Sequence, residues 1–299
     1  MDRVIISGAN GFIGSSLVKK FYNNGYEVIA LIKDRKEKVS HIADYATIIY
    51  SELSDIESLI EQLKSSKKTI FYHLAWIGVN GQQKASYESQ IQNIKMTCDC
   101  ITIAKNIGCT KFLCSGTIAE RAIESFKTLD NIGGGMMYAV SKQSTYLFTE
   151  MICKNVELDY VWMQFSNIYG PSNKTGNLVS YTLGQLFNDE EATFGPASQP
   201  YDFIYVEDLI DAAYKLGIAE KLTHNKYFIG SGKPRLLKEY LLEIGKISNK
   251  EDLIKIGVRP DDGIKYTFEM FDTTQLTDDI GEYISKDFSD GIKYTIENY

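Results

Sequence analysis

The sequence predicts an α/β protein with a doubly wound parallel sheet and a smaller C-terminal lobe. Short apolar runs alternate with longer amphipathic stretches through the first half of the chain. The apolar runs mostly lack polar alternation, which is typical of strands covered on both faces. A glycine-rich turn separates the first run from the first helical stretch. Repeated strand–helix units of this kind form right-handed crossovers and hence a parallel sheet.

Six strands and four helices are predicted in the first half. The strands are rich in Val, Ile, Phe and Tyr: Arg3–Ser7, Glu27–Ile32, Thr47–Tyr50, Thr69–Ala75, Lys111–Ser115 and Asp159–Phe165. The helices lie between them: Gly14–Asn24, Asp55–Ser65, Ser86–Asn106 and Tyr138–Lys154. Leu17 and Phe21 are four residues apart, as are Leu59 and Leu63, so each pair forms an apolar stripe that can pack on a sheet.

The pattern changes after Gly170, where glycine and proline mark the turns. Helices are predicted at Asn177–Asn188, Glu207–Ile218, Leu236–Ile247 and Lys286–Asn298, and short strands at Ala192–Phe194, Phe203–Val206 and Lys226–Ile229. We therefore predict one domain over residues 1–170. Residues 171–299 would form a smaller lobe, with some segments returning to the main sheet.

Composition excludes several classes of protein. The 299 residues carry 32 Lys and Arg against 39 Asp and Glu, a formal charge of −7, and nucleic-acid binding needs a basic face instead. No run approaches the roughly 18 apolar residues of a membrane span. The start, MDRVIISGANG, has neither the basic beginning nor the long apolar core of a signal peptide. Five cysteines, an odd number, fit a reducing cytoplasm.

The turn after the first strand predicts a dinucleotide site. Glycine allows a tight turn, close approach of a diphosphate to bare backbone, and close helix packing, while the helix N-terminus offers N–H groups to phosphate. The spacing is Gly-x-x-Gly-x-x-Gly, and the strand–turn–helix context favours a ligand over a plain turn. The candidate cofactor-binding residues here are Gly8, Asn10, Gly11, Phe12, Ile13 and Gly14.

The residues after the second strand bear on the choice of dinucleotide. Asp34 lies 20 residues beyond Gly14, near the distance at which an acidic residue binds the ribose hydroxyls of NAD. Lys33 and Arg35 beside it could instead bind a 2′-phosphate. We therefore favour NADP(H), with NAD(H) as the alternative.

Tyr138 and Lys142 are candidate catalytic residues. They lie four residues apart on one predicted helix, so both side chains share a face. A free phenol has a pKa near 10 and is a poor base, but a neighbouring ammonium favours the phenolate. Thr117 follows the predicted strand Lys111–Ser115, at the edge where open α/β sheets bind ligands. Its hydroxyl could orient a substrate oxygen against the phenol.

These motifs, in this order, resemble the extended short-chain dehydrogenase/reductase family, in particular its nucleotide-sugar epimerases, dehydratases and 4-ketoreductases. The resemblance covers almost the whole chain and implies a Rossmann fold. The matching segments are GANGFIG, Glu52-Leu53-Ser54-Asp55, His73-Leu74-Ala75, Asn93, Thr117, Tyr138 with Lys142, Ser166 to Pro171, Asp202 to Asp208 and Arg259 to Asp262.

The resemblance implies roles for individual residues. Tyr138 would be the acid/base, Lys142 would bind the nicotinamide ribose, and Thr117 would bind the reacting oxygen. Glu52, Leu53, Leu74 and Ala75 would line the cofactor. Asn167 and Asn177 would contact the nucleotide sugar, and Arg259 would pair with its diphosphate.

Departures from the family pattern narrow the expected reaction. Sugar-nucleotide 4,6-dehydratases carry Asp-Glu after the catalytic Thr, whereas Thr117 precedes Ile118 and Ala119, so 4,6-dehydration is disfavoured. Tyr201 and Gln164 stand where Arg is common, which makes the expected pocket less basic.

Other chemistry finds no support in the sequence. No metal-binding spacing appears, and His73 is expected to be a hydrogen-bonded core residue. Trp76 and Trp162 are interpreted as packing residues.

The first hypothesis is NADPH-dependent reduction of a nucleotide-linked 4-keto-6-deoxy sugar, as in deoxysugar synthesis for surface glycans. The first alternative is a nucleotide-sugar 4-epimerase with tightly bound NAD. The second is a noncatalytic dinucleotide-binding protein, which the presence of both Tyr138 and Lys142 disfavours. The resemblance also suggests a homodimer through Ser86–Asn106 and Tyr138–Lys154.

Overall fold

A seven-stranded sheet contains all six strands predicted in the first half of the chain. A computed structural model describes residues 2–79, 81–123, 134–173, 176–261 and 263–299. The strands of the sheet are β1 (Arg3–Ser7), β2 (Glu27–Ile32), β3 (Thr47–Tyr50), β4 (Thr69–His73), β5 (Lys111–Thr117), β6 (Asp159–Phe165) and β11 (Lys226–Ile229). Their order across the sheet is β11-β6-β5-β4-β1-β2-β3.

The sheet is parallel. β1 pairs in parallel with β2 and β4, and the pairs β2–β3 and β4–β5 are parallel as well. At the other edge, Trp162 N donates to Asn225 O and Ser166 N donates to Ile229 O, so β6 and β11 advance in the same direction. The predicted doubly wound fold is confirmed, and β11 is a strand that the second half of the chain contributes to this sheet.

The predicted helices of the first half form with small changes at their ends. They are α1 (Phe12–Asn23), α2 (Ile56–Leu63), α3 (Tyr87–Asn106) and α4 (Gly134–Asn155). α1 begins two residues earlier than predicted because Gly11 is its N-cap and accepts from Ser15 N. Ser86 caps α3 by accepting from Ser89 N through its side chain.

Two strand ends also differ from the prediction. β4 ends at His73, two residues before the predicted end, and β5 continues through Thr117. Thr117 is therefore the last residue of β5, whereas the sequence predicted that it would lie two residues beyond the strand. Gly116 has no side chain, so the extended strand can pass close to Glu120 and Trp162. A Cβ at this position would lie 2.7 Å from Glu120 Oε1 and would overlap the Trp162 indole.

One hydrophobic core lies between this sheet and its helices. Ile5, Phe71 and Phe112 come from three adjacent strands, and Leu59 and Ile103 come from α2 and α3. All five side chains are fully buried. The apolar stripe predicted for α2 thus packs on the sheet, since Leu59 and Leu63 are its buried residues.

The second half of the chain forms the remaining elements. The helices are α5 (Leu178–Phe187), α6 (Val206–Ile218), α7 (Leu237–Ile247), α8 (Thr274–Ile280) and α9 (Phe288–Glu297). Short strands pair as β7 (Asn167–Tyr169) with β10 (Phe203–Tyr205), β9 (Pro200–Tyr201) with β12 (Arg235–Leu236), and β8 (Ala192–Thr193) with β13 (Ile254–Lys255). β7, β9, β12, β13 and α8 were not predicted, because two or three residues of strand and seven of helix show no usable period.

The described chain divides into two units. The first comprises the described residues up to Glu120, those from 134 to Gln164 and Ile210–Tyr227, and it holds most of the main sheet. The second comprises the described residues of three segments: 121–123, Phe165–Leu209 and Phe228–Tyr299. Tyr138, Lys142 and Thr117 belong to the first unit. Asn167, Asn177 and Arg259 belong to the second.

Candidate active site

The glycine turn is too tight for side chains at two of its glycines. Gly8 has φ +69°, and a Cβ there would lie 2.8 Å from Ala75 N. A Cβ on Gly14 would overlap Gly8 O. The N-cap of α1 makes no side-chain hydrogen bond, so the first-turn N–H groups have no capping side chain. This cradle of bare backbone at a helix N-terminus suits a diphosphate.

Asn10 connects this turn to the loop after β2. The side-chain amide of Asn10 donates to the Glu37 carboxylate. His41 Nε2 hydrogen-bonds to the backbone carbonyl of Asn10 at 3.2 Å. Glu37 was not predicted as a site residue, because it follows the charged residues Lys33 to Lys36 and matches no motif position.

Lys33, Asp34 and Arg35 each have a partner of their own. Lys33 Nζ lies 3.6 Å from Glu52 Oε1, and the Arg35 guanidinium lies 5.0 Å from the Tyr50 ring centroid. Asp34 Oδ1 accepts from Lys36 N at 3.0 Å and so closes its own turn. Farther along the sheet edge, Leu53 is buried, Leu74 is half-buried, and Ala75 N donates to Ser7 Oγ at 3.4 Å.

Tyr138, Thr117 and Lys142 lie together at the carboxyl end of β5. The Thr117 side chain hydrogen-bonds to Tyr138. Lys142 Nζ lies 5.9 Å from the Tyr138 ring centroid and donates to Ser115 O at 2.7 Å. The structure therefore brings the three predicted catalytic side chains into one cluster.

Burial shifts the proton affinities of the pair in opposite directions. It raises the pKa of Tyr138, and the Glu120 carboxylate raises it further, while the Thr117 hydrogen bond opposes both. Burial lowers the pKa of Lys142, and the charge of Glu120 opposes that effect. The phenol therefore keeps its proton at neutral pH, and the ammonium relies on its neighbours to stay charged.

Glu120 is a site residue that was not predicted from the sequence. Its side chain is fully enclosed and accepts from Thr117 N at 2.7 Å, Trp162 Nε1 at 3.0 Å and Gln164 Nε2 at 2.8 Å. Lys226 Nζ lies 3.9 Å from its carboxylate. Burial raises the pKa of Glu120, and these donors lower it. Glu120 thus fixes the backbone of Thr117 and places a buried carboxyl beside Tyr138 and Lys142.

Trp76 also belongs to this cluster. Its ring centroid lies 3.6 Å from Lys142 Nζ, and its ring is nearly perpendicular to that of Tyr138, with centroids 6.0 Å apart. Lys84 Nζ lies over the Tyr138 ring, 5.0 Å from its centroid. Residue type alone indicated packing for Trp76 and gave no sign of these polar contacts.

His73 is a buried, hydrogen-bonded residue, as expected. Nδ1 pairs with Ser7 Oγ at 2.9 Å and Nε2 with Thr97 Oγ1 at 3.1 Å. Burial and the charge of Lys142 lower the pKa of His73 to about 3. The ring is therefore neutral at physiological pH and links β1, β4 and α3 below the glycine turn.

Asn167 forms the centre of a separate polar group in the second unit. Its Nδ2 donates to Asp202 O at 3.0 Å, and its Oδ1 accepts from Tyr201 OH at 2.9 Å. Tyr201, which stands where the family often has Arg, therefore holds the amide of Asn167. The ring of Tyr201 also packs against Tyr266, with centroids 6.3 Å apart.

Arg259 and Asn177 occupy two other places in the second unit. Arg259 is exposed, and it donates to Thr193 Oγ1 and to Tyr181 OH, each at 2.7 Å. Asn177 caps α5, with Oδ1 accepting from Ser180 N at 3.0 Å, while Nδ2 donates to Ile168 O at 2.6 Å. Arg259 thus presents a guanidinium at the surface, whereas Asn177 has a local structural role of its own.

Metal-binding and membrane-spanning features are not found in the described residues. No cluster of three or more His, Cys, Asp or Glu side chains suited to a metal ion occurs among them. None of the helices in the described part of the chain combines the length and the apolar character that crossing a bilayer requires.

Comparison with known proteins identifies the family. Residues 4–230 match the NAD dependent epimerase/dehydratase family. The chain belongs to this family. The match runs from β1 to the end of β11 and so includes the glycine turn, Thr117, Tyr138 and Lys142.

Three known proteins resemble this chain at low sequence identity. CDP-abequose synthase from Salmonella muenchen is 23% identical over 262 residues, which cover 85% of this chain and 84% of that protein. A dTDP-4-dehydro-6-deoxyglucose reductase from Escherichia coli is 23% identical over 84% of this chain and 83% of its own length. UDP-glucose 4-epimerase from Thermotoga maritima, solved with UDP-glucose, has a TM-score of 0.80 and 22% identity, covering 99% of this chain and 98% of that one. At such identities the structural likeness establishes the fold alone.

The residues of this chain fit the NAD(P) cofactor of the family. The close approach of Gly8 and Gly14 to neighbouring backbone leaves no room for side chains in the turn, and the N-terminus of α1 offers N–H donors. Lys142 supplies a buried ammonium at the carboxyl end of β5. The glycine turn and Lys142 are therefore the residues of this chain that could hold such a cofactor.

Proposed function

We propose that this protein reduces a nucleotide-linked 4-keto-6-deoxy sugar with NADPH. The observation that carries the proposal is the cluster of Tyr138, Thr117 and Lys142, which places a protonated phenol beside a hydroxyl and an ammonium at the carboxyl end of β5. Reduction of a carbonyl needs a proton donor at the oxygen, and Tyr138 supplies one.

The glycine turn and Lys142 would hold the dinucleotide, whose nicotinamide would supply the hydride for the carbonyl carbon. Tyr138 donates its proton to the carbonyl oxygen, which becomes the new hydroxyl. Thr117 hydrogen-bonds to Tyr138, and the Lys142 ammonium stabilises the phenolate that remains. General acid catalysis of this kind contributes about 10²- to 10⁴-fold to a rate.

Selection of NADPH would rest on Lys33 and Arg35. Both side chains are exposed beside the end of β2, where they can bind a 2′-phosphate. Glu52 and Asp34 lie beside them, so the preference is expected to be moderate, and replacing both basic residues should shift it toward NADH.

We disfavour 4,6-dehydration. That reaction needs carboxyl groups that reach the sugar, whereas Ile118 and Ala119 follow Thr117. The nearby carboxylate of Glu120 is fully enclosed and accepts hydrogen bonds from Thr117, Trp162 and Gln164. It is positioned to hold the strand end and does not reach outward.

The substrate test is direct. Purified protein is mixed with NADPH and the 4-keto-6-deoxyglucose forms carrying UDP, dTDP, CDP and GDP, and absorbance at 340 nm is followed. We expect oxidation of NADPH with at least one of them. No oxidation with any of the four would contradict the proposal.

A 4-epimerase with tightly bound NAD is the second candidate. Glu37, hydrogen-bonded to Asn10 beside the glycine turn, adds a carboxylate after the end of β2 that would repel a 2′-phosphate and suit NAD. Protein that retains NAD through purification, and interconverts nucleotide hexoses without added cofactor, would favour this candidate over the reductase.

We also propose a homodimer formed through α3 and α4. The two helices expose a set of large apolar side chains: Tyr87, Ile91, Met137, Val140, Leu147, Phe148 and Met151. Ile91 is 60% exposed and Met151 55%, and seven such side chains on two helices are typical of an association surface. A second copy of the same face would cover them.

A further inference from the structure

The ammonium of Lys142 lies among aromatic rings. Nζ is 3.6 Å from the Trp76 ring centroid, 5.9 Å from that of Tyr138 and 6.0 Å from that of Trp162. The residue is only 2% exposed, so its charge has lost most of its water. Ser115 accepts from Nζ through its carbonyl at 2.7 Å. A desolvated ammonium gains most from an aromatic face, and the Trp76 face is by far the nearest of the three.

Gln90 holds the indole of Trp76 in place. Trp76 Nε1 donates to Gln90 Oε1 at 3.1 Å, and Ser141 Oγ donates to the same oxygen at 2.9 Å. Gln90 is buried on α3, and Ser141 directly precedes Lys142 on α4. One amide oxygen therefore ties the indole to the helix that carries the lysine.

The same indole also packs against the catalytic phenol. The rings of Trp76 and Tyr138 are nearly perpendicular, at 88°, with centroids 6.0 Å apart. Trp76 is half-buried just after the end of β4, whereas Trp162 is fully buried in the core. Core packing explains Trp162, but it does not explain a ring that meets both members of the catalytic pair.

We propose that Trp76 is a positioning residue that holds the Lys142 ammonium on its indole face and fixes it beside Tyr138. The proposal rests on the proposed function in one respect, that Tyr138 and Lys142 are the reacting pair. It assigns to this chain a specific device for keeping a buried lysine charged, since removing the ring would leave Ser115 as the main partner of Nζ.

Other ionisable groups act on the pair as well. They come from β4, β5, the turn after β5 and the turn before α3: His73, Cys114, Glu120 and Lys84. A test must therefore separate the titration of Lys142 from that of these groups and, above all, from that of Tyr138.

The indole itself can report the charge of Lys142. The chain has two tryptophans, so Trp162→Phe leaves Trp76 as the sole indole. We expect its emission to change with pH as Lys142 loses its proton. The change should disappear when Lys142→Met is added and persist when Tyr138→Phe is added. A titration that survives Lys142→Met, or no titration at all, would overturn the proposal. Should Trp162→Phe not fold, the difference in emission between wild type and Trp76→Phe gives the same signal.

Activity provides the second readout. Trp76→Phe keeps an aromatic face, and Trp76→Leu removes it. We expect Trp76→Leu to lower kcat by about tenfold and to shift the limb of the pH profile due to Lys142 by about one pH unit to lower pH, equivalent to about 1.4 kcal/mol. Trp76→Phe should restore most of both effects. Identical profiles for the two variants would contradict the proposal. If no reductase activity is found, the emission titration still decides it, because it needs neither cofactor nor substrate.

Discussion

Glu120 places a buried carboxyl beside Tyr138 and Lys142. A hydrogen bond from the backbone N–H of Thr117 holds this carboxyl in position. Tyr138 and Lys142 could be predicted from the sequence because they lie four residues apart on one helix. Thr117 could be predicted because it lies at the carboxyl end of an apolar strand. The sequence did not reveal Glu120, because the short turn at Ile118–Ala122 places this side chain back under the strand, and no simple periodicity describes that path. Trp76 was missed because an indole after a strand is ordinarily a packing residue.

Glu120→Gln should shift the pH dependence of catalysis. The carboxylate raises the pKa of both Tyr138 and Lys142, so a neutral amide should lower both pKa values and move the alkaline limb of kcat/KM to lower pH by about one pH unit. The pH profile of the variant, measured beside that of Glu150→Gln, checks this. Glu150 is on α4, but its carboxylate accepts a hydrogen bond from Asn225 Nδ2. Its variant should therefore keep the wild-type pH profile of kcat/KM. An unchanged limb in Glu120→Gln would count against the assigned role.

His73→Gln should reduce the acid sensitivity of the fold. With a pKa of about 3 in the folded protein and about 6.5 when unfolded, His73 binds its proton mainly in the unfolded state, so it destabilises the fold as pH falls below 6.5. Between pH 7 and pH 5 this costs about 2 kcal/mol. Urea unfolding at both pH values should show a correspondingly smaller loss in the variant. Equal losses in both proteins would show that His73 titrates normally.

At the scale of elements, the first-half strands could be predicted because continuous apolar runs such as Glu27–Ile32 are typical of strands buried on both faces. The ends of the helices were harder to predict from the sequence. Gly11, for example, caps α1 through its backbone carbonyl and carries no capping side chain that could mark the start. The two-residue strands β9 and β12 are defined by their partners in space and not by any local pattern. The glycine turn was predictable because steric need, and not propensity, fixes its residues.

Gly14→Ala should disrupt the turn. Its Cβ would overlap Gly8 O, so α1 or the turn must move, and we expect a loss of about 1–3 kcal/mol in the free energy of unfolding together with weaker NADPH binding. Gly135→Ala in α4 is the matched control, since a Cβ there meets nothing within 4 Å. Urea unfolding and NADPH fluorescence titration check both variants. A Gly14→Ala protein that matches the control would show that the turn is looser than the structure indicates.

At the scale of the whole molecule, the proposed dimer depends on the apolar face of α3 and α4. Its residues could be placed on two helices from the sequence, but their exposure could not, because helices that pack on a sheet and helices that pack on a second chain are both amphipathic. The structure shows that Ile91 and Phe148 remain exposed within one chain.

Charges on this face should prevent association. We expect wild-type protein to sediment as a dimer and the double variant Ile91→Lys, Phe148→Lys to sediment as a monomer with the same circular dichroism. Val258→Lys, which changes an equally exposed residue outside both helices, should remain dimeric. A wild-type monomer at micromolar concentration would contradict the proposed interface.

The central claim is that Tyr138 donates the proton during reduction of the sugar carbonyl. The most direct measurement compares kcat for NADPH oxidation by wild type and Tyr138→Phe with the best 4-keto-6-deoxy sugar nucleotide. The phenylalanine keeps the ring against Trp76 and removes the hydroxyl alone, and NADPH binding serves as the control. We expect kcat to fall by at least about 100-fold with NADPH affinity unchanged. A Tyr138→Phe protein that turns over at the wild-type rate would contradict the account.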